Sequence, residues 1–516
     1  MKEFLQQRIL VLDFGSQYTQ LIARRIREAR VYSEIVDSAI SAEQIAAMHP
    51  AGLILGGGPA SVHDINAPQL DPAIFELGIP ILGICYGMQF VTRMAGGEVK
   101  RSGSREYGSA SLTVKNAGNP LFAGLPAAFQ VWMSHADEVV RGGDDYEIVG
   151  SSLSVPYAAV HSPKRNFWGV QFHPEVAHTR HGTRIMRNFA RRICGCRGGW
   201  TPRAYIEEAV ELIRKQVGDG QVICGLSGGV DSAVAALLIH AAVGDQLTCI
   251  FVDNGLLRHD EAIRLLKVFE DNLQVRVLHV DAADRFLGSL AGVVDPESKR
   301  KVIGHQFIEV FEAAARDLPG VRFLAQGTLY PDVIESSGIG RHAEVIKSHH
   351  NVGGLPAKLG LDLVEPLRML FKDEVRKVGM ELGMSEEMVW RQPFPGPGLA
   401  VRVVGEITED RLALLRAADR IVQQEMKKAG YYRKVWQSFA VLLPVQSVGV
   451  MGDGRTYEFT VALRAVQSSD GMTANWAPLP NRLLAAISTR ITNEVRGINR
   501  VVFDITSKPP GTIEWE

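Results

Sequence analysis

The chain has 516 residues, 46% of them hydrophobic and 22% charged, so at roughly 150 residues per domain it predicts about three domains, each able to bury its own core. Lys plus Arg (56) nearly cancels Asp plus Glu (57), leaving a net charge of −1 and no global field to draw a polyanion, so no nucleic-acid partner is expected. Five cysteines (Cys85, Cys194, Cys196, Cys224, Cys249) are too few for a disulfide framework, and no run approaches the ~20 apolar residues of a membrane span, so a reducing, cytoplasmic setting without membrane contact is expected.

In chain order, the first third alternates strands and helices. Strand Ile9 to Leu12 precedes a helical pattern over Gln17 to Ala29, and strand Val31 to Val36 precedes a short helix near Ala42 to Met48. The apolar runs Leu53 to Leu55 and Ile79 to Ile84 follow as buried strands. This alternation predicts a parallel α/β sheet with ligand sites at the carboxyl ends of its strands, where Gly56 to Gly58 and Cys85 fall.

The Gly- and Pro-punctuated string Cys194 to Thr201 marks a first boundary, before an amphipathic helix over Arg203 to Gln216. A second α/β series follows, with strands at Val222 to Leu226, Thr248 to Val252, Val275 to Val280 and Arg322 to Ala325. Its helices fall at Ser232 to Ala242, Glu261 to Phe269 and Val302 to Ala315. Three prolines within Gln392 to Gly398 exclude a helix or central strand and mark a second boundary. The remainder reads as α+β: helices at Glu409 to Lys428 and Arg482 to Val495, with strands at Val435 to Val445, Thr456 to Val466 and Arg500 to Ile505.

Gly83-Ile84-Cys85-Tyr86-Gly87 has the form of a nucleophile elbow, a sharp strand-to-helix turn that small flanking residues allow to close. A thiol at a helix start is favoured as thiolate by the unpaired amides there. Taken alone, Cys85 reads equally as a buried structural cysteine. The string Gly169 to Glu175 tips the balance, because strand-like residues deliver His173 and Glu175 two positions apart, a base with its orienting carboxylate. The bare amides of Gly56 to Gly58, Gly57 above all, together with that of Tyr86, form a candidate oxyanion pocket.

These residues resemble the class I glutamine amidotransferases, over about residues 8 to 195. The resemblance implies a catalytic set of Cys85, His173 and Glu175 that forms a glutamyl thioester and releases ammonia. The family's S-G-G-P reads Gly56-Gly57-Gly58-Pro59 here, losing a hydroxyl but keeping the amides, and Ser134 to Asp137 resembles the segment near the glutamine site.

After strand Val222 to Leu226, the string Ser227-Gly228-Gly229-Val230-Asp231-Ser232-Ala233 opens directly into a helix and forms an anion cradle. No G-K-[ST] occurs, so hydroxyls and amides are expected to hold phosphates, with Asp231 as ligand to Mg2+. The string is similar to the phosphate loop of the ATP pyrophosphatases, with an adenine-nucleotide α-hydrolase-like fold. The resemblance implies ATP as co-substrate, contacting Ser227 to Ala233 and, on the next strand, Val252.

The ending Lys508-Pro509-Pro510-Gly511-Thr512-Ile513-Glu514-Trp515-Glu516 pairs a cation for phosphate with a carboxylate able to accept purine N–H groups. Together with Gln392 to Glu406 and Ile346 to Gly354, it resembles the glutamine-hydrolysing GMP synthases along essentially the whole chain. That resemblance implies XMP contacts at Arg300, Gln437, Arg500, Lys508, Ile513 and Glu514, and an adenylation and coupling segment at Asp332, Glu335 and Lys347. It also implies a homodimer, and the expected architecture is a multidomain α/β chain. Residues 8–197 are the amidotransferase domain, 198–391 the parallel α/β ATP pyrophosphatase domain and 392–516 an α+β dimerisation domain that also binds XMP. Ammonia must travel unprotonated, so a sheltered passage during turnover is expected. The competing reading is another glutamine-dependent ATP pyrophosphatase with a different carbonyl acceptor.

Overall fold

The computed structural model describes residues 3–336, 360–451, 454–468, 471 and 473–516. Short apolar runs without polar interruption become fully buried parallel strands, as expected where helices cover both sheet faces. In the first sheet these are β1 (Ile9–Asp13), β3 (Gly52–Leu55), β4 (Ile81–Ile84) and β9 (Phe167–Val170), joined at the edge by β2 (Ser33–Asp37), which carries Glu34 and buries only Ser33 and Ile35. They form the parallel part of a nine-stranded sheet of order β2-β1-β3-β4-β9-β8-β7-β5-β6. Its other half is antiparallel: β5 (Glu98–Val114), β6 (Ala128–Arg141), β7 (Glu147–Ser151) and β8 (Ala159–Ser162). The parallel sheet expected of the first third is present, and these antiparallel strands, which the sequence reading did not name, extend it. β6 alternates buried and less buried residues, the pattern of a strand with one covered face, and such strands pair by hairpins without crossover helices.

A second sheet is all parallel, with order β12-β11-β10-β13-β14. Its strands are β10 (Gln221–Gly225), β11 (Leu247–Asp253), β12 (Val277–Asp281), β13 (Val321–Ala325) and β14 (Asp362–Val364). The chain leaves β10 towards one side for β11 and returns on the other for β13, so the carboxyl end of β10 is a topological switch point. The third sheet joins β15 (Gln437–Met451), β16 (Gly454–Gln467), β17 (Asn475–Trp476) and β18 (Ile498–Asp504), with β18 parallel to β16.

Residues divide into two compact units, 1–208 with the described part of 329–347, and 209–328 with the described part of 348–516. The first unit has its main core between the apolar strands and the helix Tyr86–Met94. In the second, one continuous apolar cluster runs from Ile223 and Ile250 through Leu399, Leu412 and Ile421 to Leu463 and Ile487. The helix Tyr330–Ser336 belongs to the first unit: Tyr330 accepts a 2.6 Å hydrogen bond from the Ile35 amide on β2, and Arg27 lies 4.7 Å above its ring.

Candidate active sites

β4 ends at Ile84 and the helix Tyr86–Met94 begins two residues later, so the whole turn falls on Cys85. Cys85 takes φ 50° and ψ −103°, a strained conformation for a residue with a Cβ. The elbow closes because its neighbours are glycine: a Cβ on Gly83 would come within 2.8 Å of the Met88 amide nitrogen, and one on Gly87 within 2.4 Å of the Leu55 carbonyl oxygen. The Gly87 amide donates to the Gly56 carbonyl at 3.2 Å, tying the helix start to the Gly56–Gly58 loop.

His173 and Glu175 lie in the turn beyond β9, not on the strand as their spacing suggested, because pairing of β9 stops at Val170. Both are buried, and His173 Nδ1 meets Glu175 Oε1 at 2.7 Å. Burial opposes charge on His173, but the Glu175 carboxylate and a hydrogen bond to Cys85 outweigh it and hold the imidazole well above its usual pKa. The turn is braced by the Thr179 hydroxyl, which donates to the His173 carbonyl at 2.6 Å, and by Arg25 Nε, which donates to the Glu175 carbonyl at 2.9 Å. A Cβ on Gly57 would sit 3.2 Å from His173 Cε1 and 3.9 Å from Cys85 Cβ, so this glycine faces both reactive side chains.

Sequence reasoning missed two neighbours. Buried Gln171 brings Nε2 to 3.7 Å from Cys85 Sγ, and the Tyr18 ring stands edge-on to His173 at 5.6 Å. Ser134 does reach the site: its carbonyl lies 3.7 Å from Cys85 Sγ. A thiol, an imidazole backed by a carboxylate, and a glycine loop beside them are what acyl transfer from an amide requires.

In the second unit, β10 leads into the phosphate loop and the helix Val230–Val243. Gly228 has φ +72°, and the Ser227 and Ser232 hydroxyls bond to each other at 3.0 Å, closing the loop around the helix start. Val252 is buried at the carboxyl end of neighbouring β11. Two cations from later in the chain brace the loop. Lys372, from the helix Lys372–Glu381, bonds Asp231 Oδ2, and Arg391 Nη1 donates to the Gly228 carbonyl at 2.8 Å. Asp231 Oδ1 is buried without a hydrogen-bond partner, and no cluster of three metal-ligating side chains exists among the described residues. One carboxylate aided by substrate phosphates is a fitting donor set for Mg2+.

The strap 508–516 gathers most of the expected acceptor residues. Gln437 Nε2 donates to Glu514 Oε1 at 2.7 Å, Arg300 Nη2 donates to the Glu516 carbonyl at 2.5 Å, and Ile513 rests against Phe439, Val441 and Ala462. Lys508 is held by Ala474 through a pair of main-chain hydrogen bonds. Arg500 is exposed on β18, and no hydrogen bond or ion pair among the described residues joins it to the strap. Asp332 and Glu335 lie on the helix Tyr330–Ser336, where Asp332 accepts from the Leu329 amide at 2.8 Å and Glu335 is exposed. Lys347 lies outside the described residues.

Three family models match in order along the chain: glutamine amidotransferase class-I over residues 10–193, NAD synthase over 204–301 and GMP synthase C terminal domain over 424–515. The chain is 59% identical over 509 residues to the glutamine-hydrolysing GMP synthase of Heliobacterium modesticaldum, covering 98% of this chain and 99% of that one. Against the enzymes of that name from Caldanaerobacter subterraneus subsp. tengcongensis and Staphylococcus aureus, identity is 57% over 512 and 56% over 511 residues, covering 99% of each chain in both cases. A crystal structure from Thermoplasma acidophilum, of a protein described as one component of a GMP synthase, is 33% identical with a TM-score of 0.31, covering 37% of this chain and 94% of its own. Identity above half over nearly the full length, in a chain with an elbow thiol and a lysine-free phosphate loop, makes this protein a member of the glutamine-hydrolysing GMP synthase family.

Proposed function

We propose that this chain converts XMP to GMP with glutamine as nitrogen donor and ATP as activator, releasing glutamate, AMP and pyrophosphate. One observation carries the reading: an ammonia-releasing thiol site and an ATP-type phosphate loop are built into a single polypeptide. Cys85 attacks the glutamine side-chain amide while the Gly57 and Tyr86 amides receive the developing oxyanion. His173, oriented by Glu175, takes the proton of the Cys85 thiol and delivers it to the departing amide nitrogen, which leaves as ammonia, and then activates the water that hydrolyses the thioester.

In the second half-reaction, Ser227 to Ala233 and Val252 hold ATP and the C2 oxygen of XMP attacks its α-phosphorus. Pyrophosphate leaves, ammonia adds at C2 and AMP departs. Asp231 would hold Mg2+, whose charge, when it is bound, offsets that of the departing pyrophosphate. Arg300, Gln437, Arg500, Lys508, Ile513 and Glu514 take XMP, and Asp332, Glu335 and Lys347 serve adenylation and its coupling to glutamine hydrolysis.

The domain division at about residues 197 and 391 and a cytoplasmic location belong to the same reading. No helix among the described residues is long and apolar enough to cross a membrane. A homodimer through the last third is supported by the exposed Val445, Val448, Val450 and Tyr457 on β15 and β16.

The test measures AMP release with XMP, ATP and magnesium and either glutamine or ammonium chloride. Cys85→Ala is expected to abolish glutamine-supported turnover while keeping the ammonia-supported reaction. AMP release independent of XMP would instead favour a different carbonyl acceptor.

A further inference from the structure

Three cationic side chains of the second unit, Lys299, Arg402 and Arg464, have no solvent exposure at all, and each donates at least one hydrogen bond to residues 506–516. Arg464 donates to the carbonyls of Thr506, Thr512 at 2.9 Å and Ile513 at 3.4 Å, and lies 3.3 Å from Asp504. Arg402 grips Glu514 as a fork, Nε to Oε2 at 3.0 Å and Nη2 to Oε1 at 2.8 Å. Its guanidinium also lies 4.0 Å above the Phe439 ring.

Lys299 sits in the first turn of the helix Pro296–Arg316. Its ammonium donates to the Val403 carbonyl at 2.8 Å, to the Ala400 carbonyl at 3.4 Å and to the Glu516 carboxylate. Glu516 also accepts from the Gly405 amide at 3.0 Å, and its main-chain carbonyl takes the hydrogen bond from Arg300, the residue next to Lys299. A buried ammonium without a counter-charge is strongly disfavoured, so Lys299 holds the Glu516 carboxylate in place.

We propose that Glu516 is a positioning residue for the acceptor nucleotide. Its carboxylate, neutralised by Lys299, fixes the end of the strap so that Glu514 stays on Gln437 and Arg300 keeps its aim. This inference rests on the acceptor role proposed for Arg300, Gln437 and Glu514. Glu516 itself acts through them, and its loss lowers the fraction of molecules whose strap is ready to bind.

The test uses the full chain with ammonium chloride as nitrogen donor, following AMP release at varied XMP. Glu516→Gln is expected to raise KM for XMP at least about tenfold, with kcat within about threefold and KM for ATP unchanged, the pattern of lost ground-state positioning. Amide hydrogen exchange over residues 508–516 should quicken in the same variant. The double variant Lys299→Met/Glu516→Gln removes the buried charge and its counter-charge together, so Tm should recover while KM for XMP stays high. Recovery of both, or an unchanged XMP KM in folded Glu516→Gln, overturns the inference. Wild-type protein that releases no AMP in response to XMP would instead overturn the functional reading beneath it.

Discussion

Replacing Gly87 by alanine tests whether the Cys85 elbow is built by its glycines. A Cβ at position 87 would lie 2.4 Å from the Leu55 carbonyl oxygen, 2.6 Å from Leu55 Cβ and 2.9 Å from the Leu55 carbonyl carbon. These separations fall short of ordinary van der Waals contact by about 1 Å, and two of the three atoms are backbone that no rotamer change can withdraw. Either the helix Tyr86–Met94 retreats from β3 or β3 carries Gly56 and Gly57 away with it. Both movements break the 3.2 Å hydrogen bond from the Gly87 amide to the Gly56 carbonyl and displace Gly57, which faces Cys85 and His173. Overpacking of this kind costs about 1–3 kcal/mol of stability. Misplacement by about 1 Å costs roughly 100-fold in the chemical step. Glutamate release from glutamine should therefore fall by about two orders of magnitude, while ammonia-supported GMP formation changes little. A folded Gly87→Ala protein with full glutaminase activity would refute the argument from elbow packing.

Two further predictions concern the first unit. Glu175→Gln removes the carboxylate that raises the His173 pKa, so the alkaline limb of the glutaminase pH profile should move to lower pH, with turnover down roughly 10²- to 10⁴-fold. The sign is the same for folding: a raised folded-state pKa stabilises fully below the unfolded value near 6.5 and loses that contribution as pH rises through the folded value. An unmoved limb would remove Glu175 from the catalytic set. Tyr330→Phe leaves the buried Ile35 amide without its hydroxyl acceptor, costing about 1–3 kcal/mol, or roughly 2–4 °C of Tm per kcal/mol. Calorimetry showing no loss would mean that this contact adds nothing to the seating of the helix Tyr330–Ser336.

Much of the first site was legible because its chemistry is local. Cys85 and its flanking glycines lie within five residues, and His173 and Glu175 within three, so motif and turn chemistry name them without a fold. Strands such as Ile9–Asp13 and Leu247–Asp253 were readable for the same reason, since an uninterrupted apolar run can only be buried on both faces. β5 to β8 were not read, because their alternation is diluted by polar residues: the covered face of β6 carries the buried His135 and Asp137 among its apolar positions. Gln171 was in plain view beside the histidine motif, but nothing in its spacing says that its amide turns towards Cys85.

By itself, then, the sequence determined which residues can do chemistry: a thiol in an elbow, a carboxylate-backed imidazole, and a glycine loop opening a helix, each set by neighbours a few positions away. Only the tertiary structure decided what surrounds them. Lys372 reaches Asp231 across 141 positions and Lys299 reaches Glu516 across 217, and no periodicity encodes such pairings. For Lys299 the pairing arises because a buried cation requires a counter-charge, and for both lysines the packed sheets and helices determine which carboxylate is near enough to supply one.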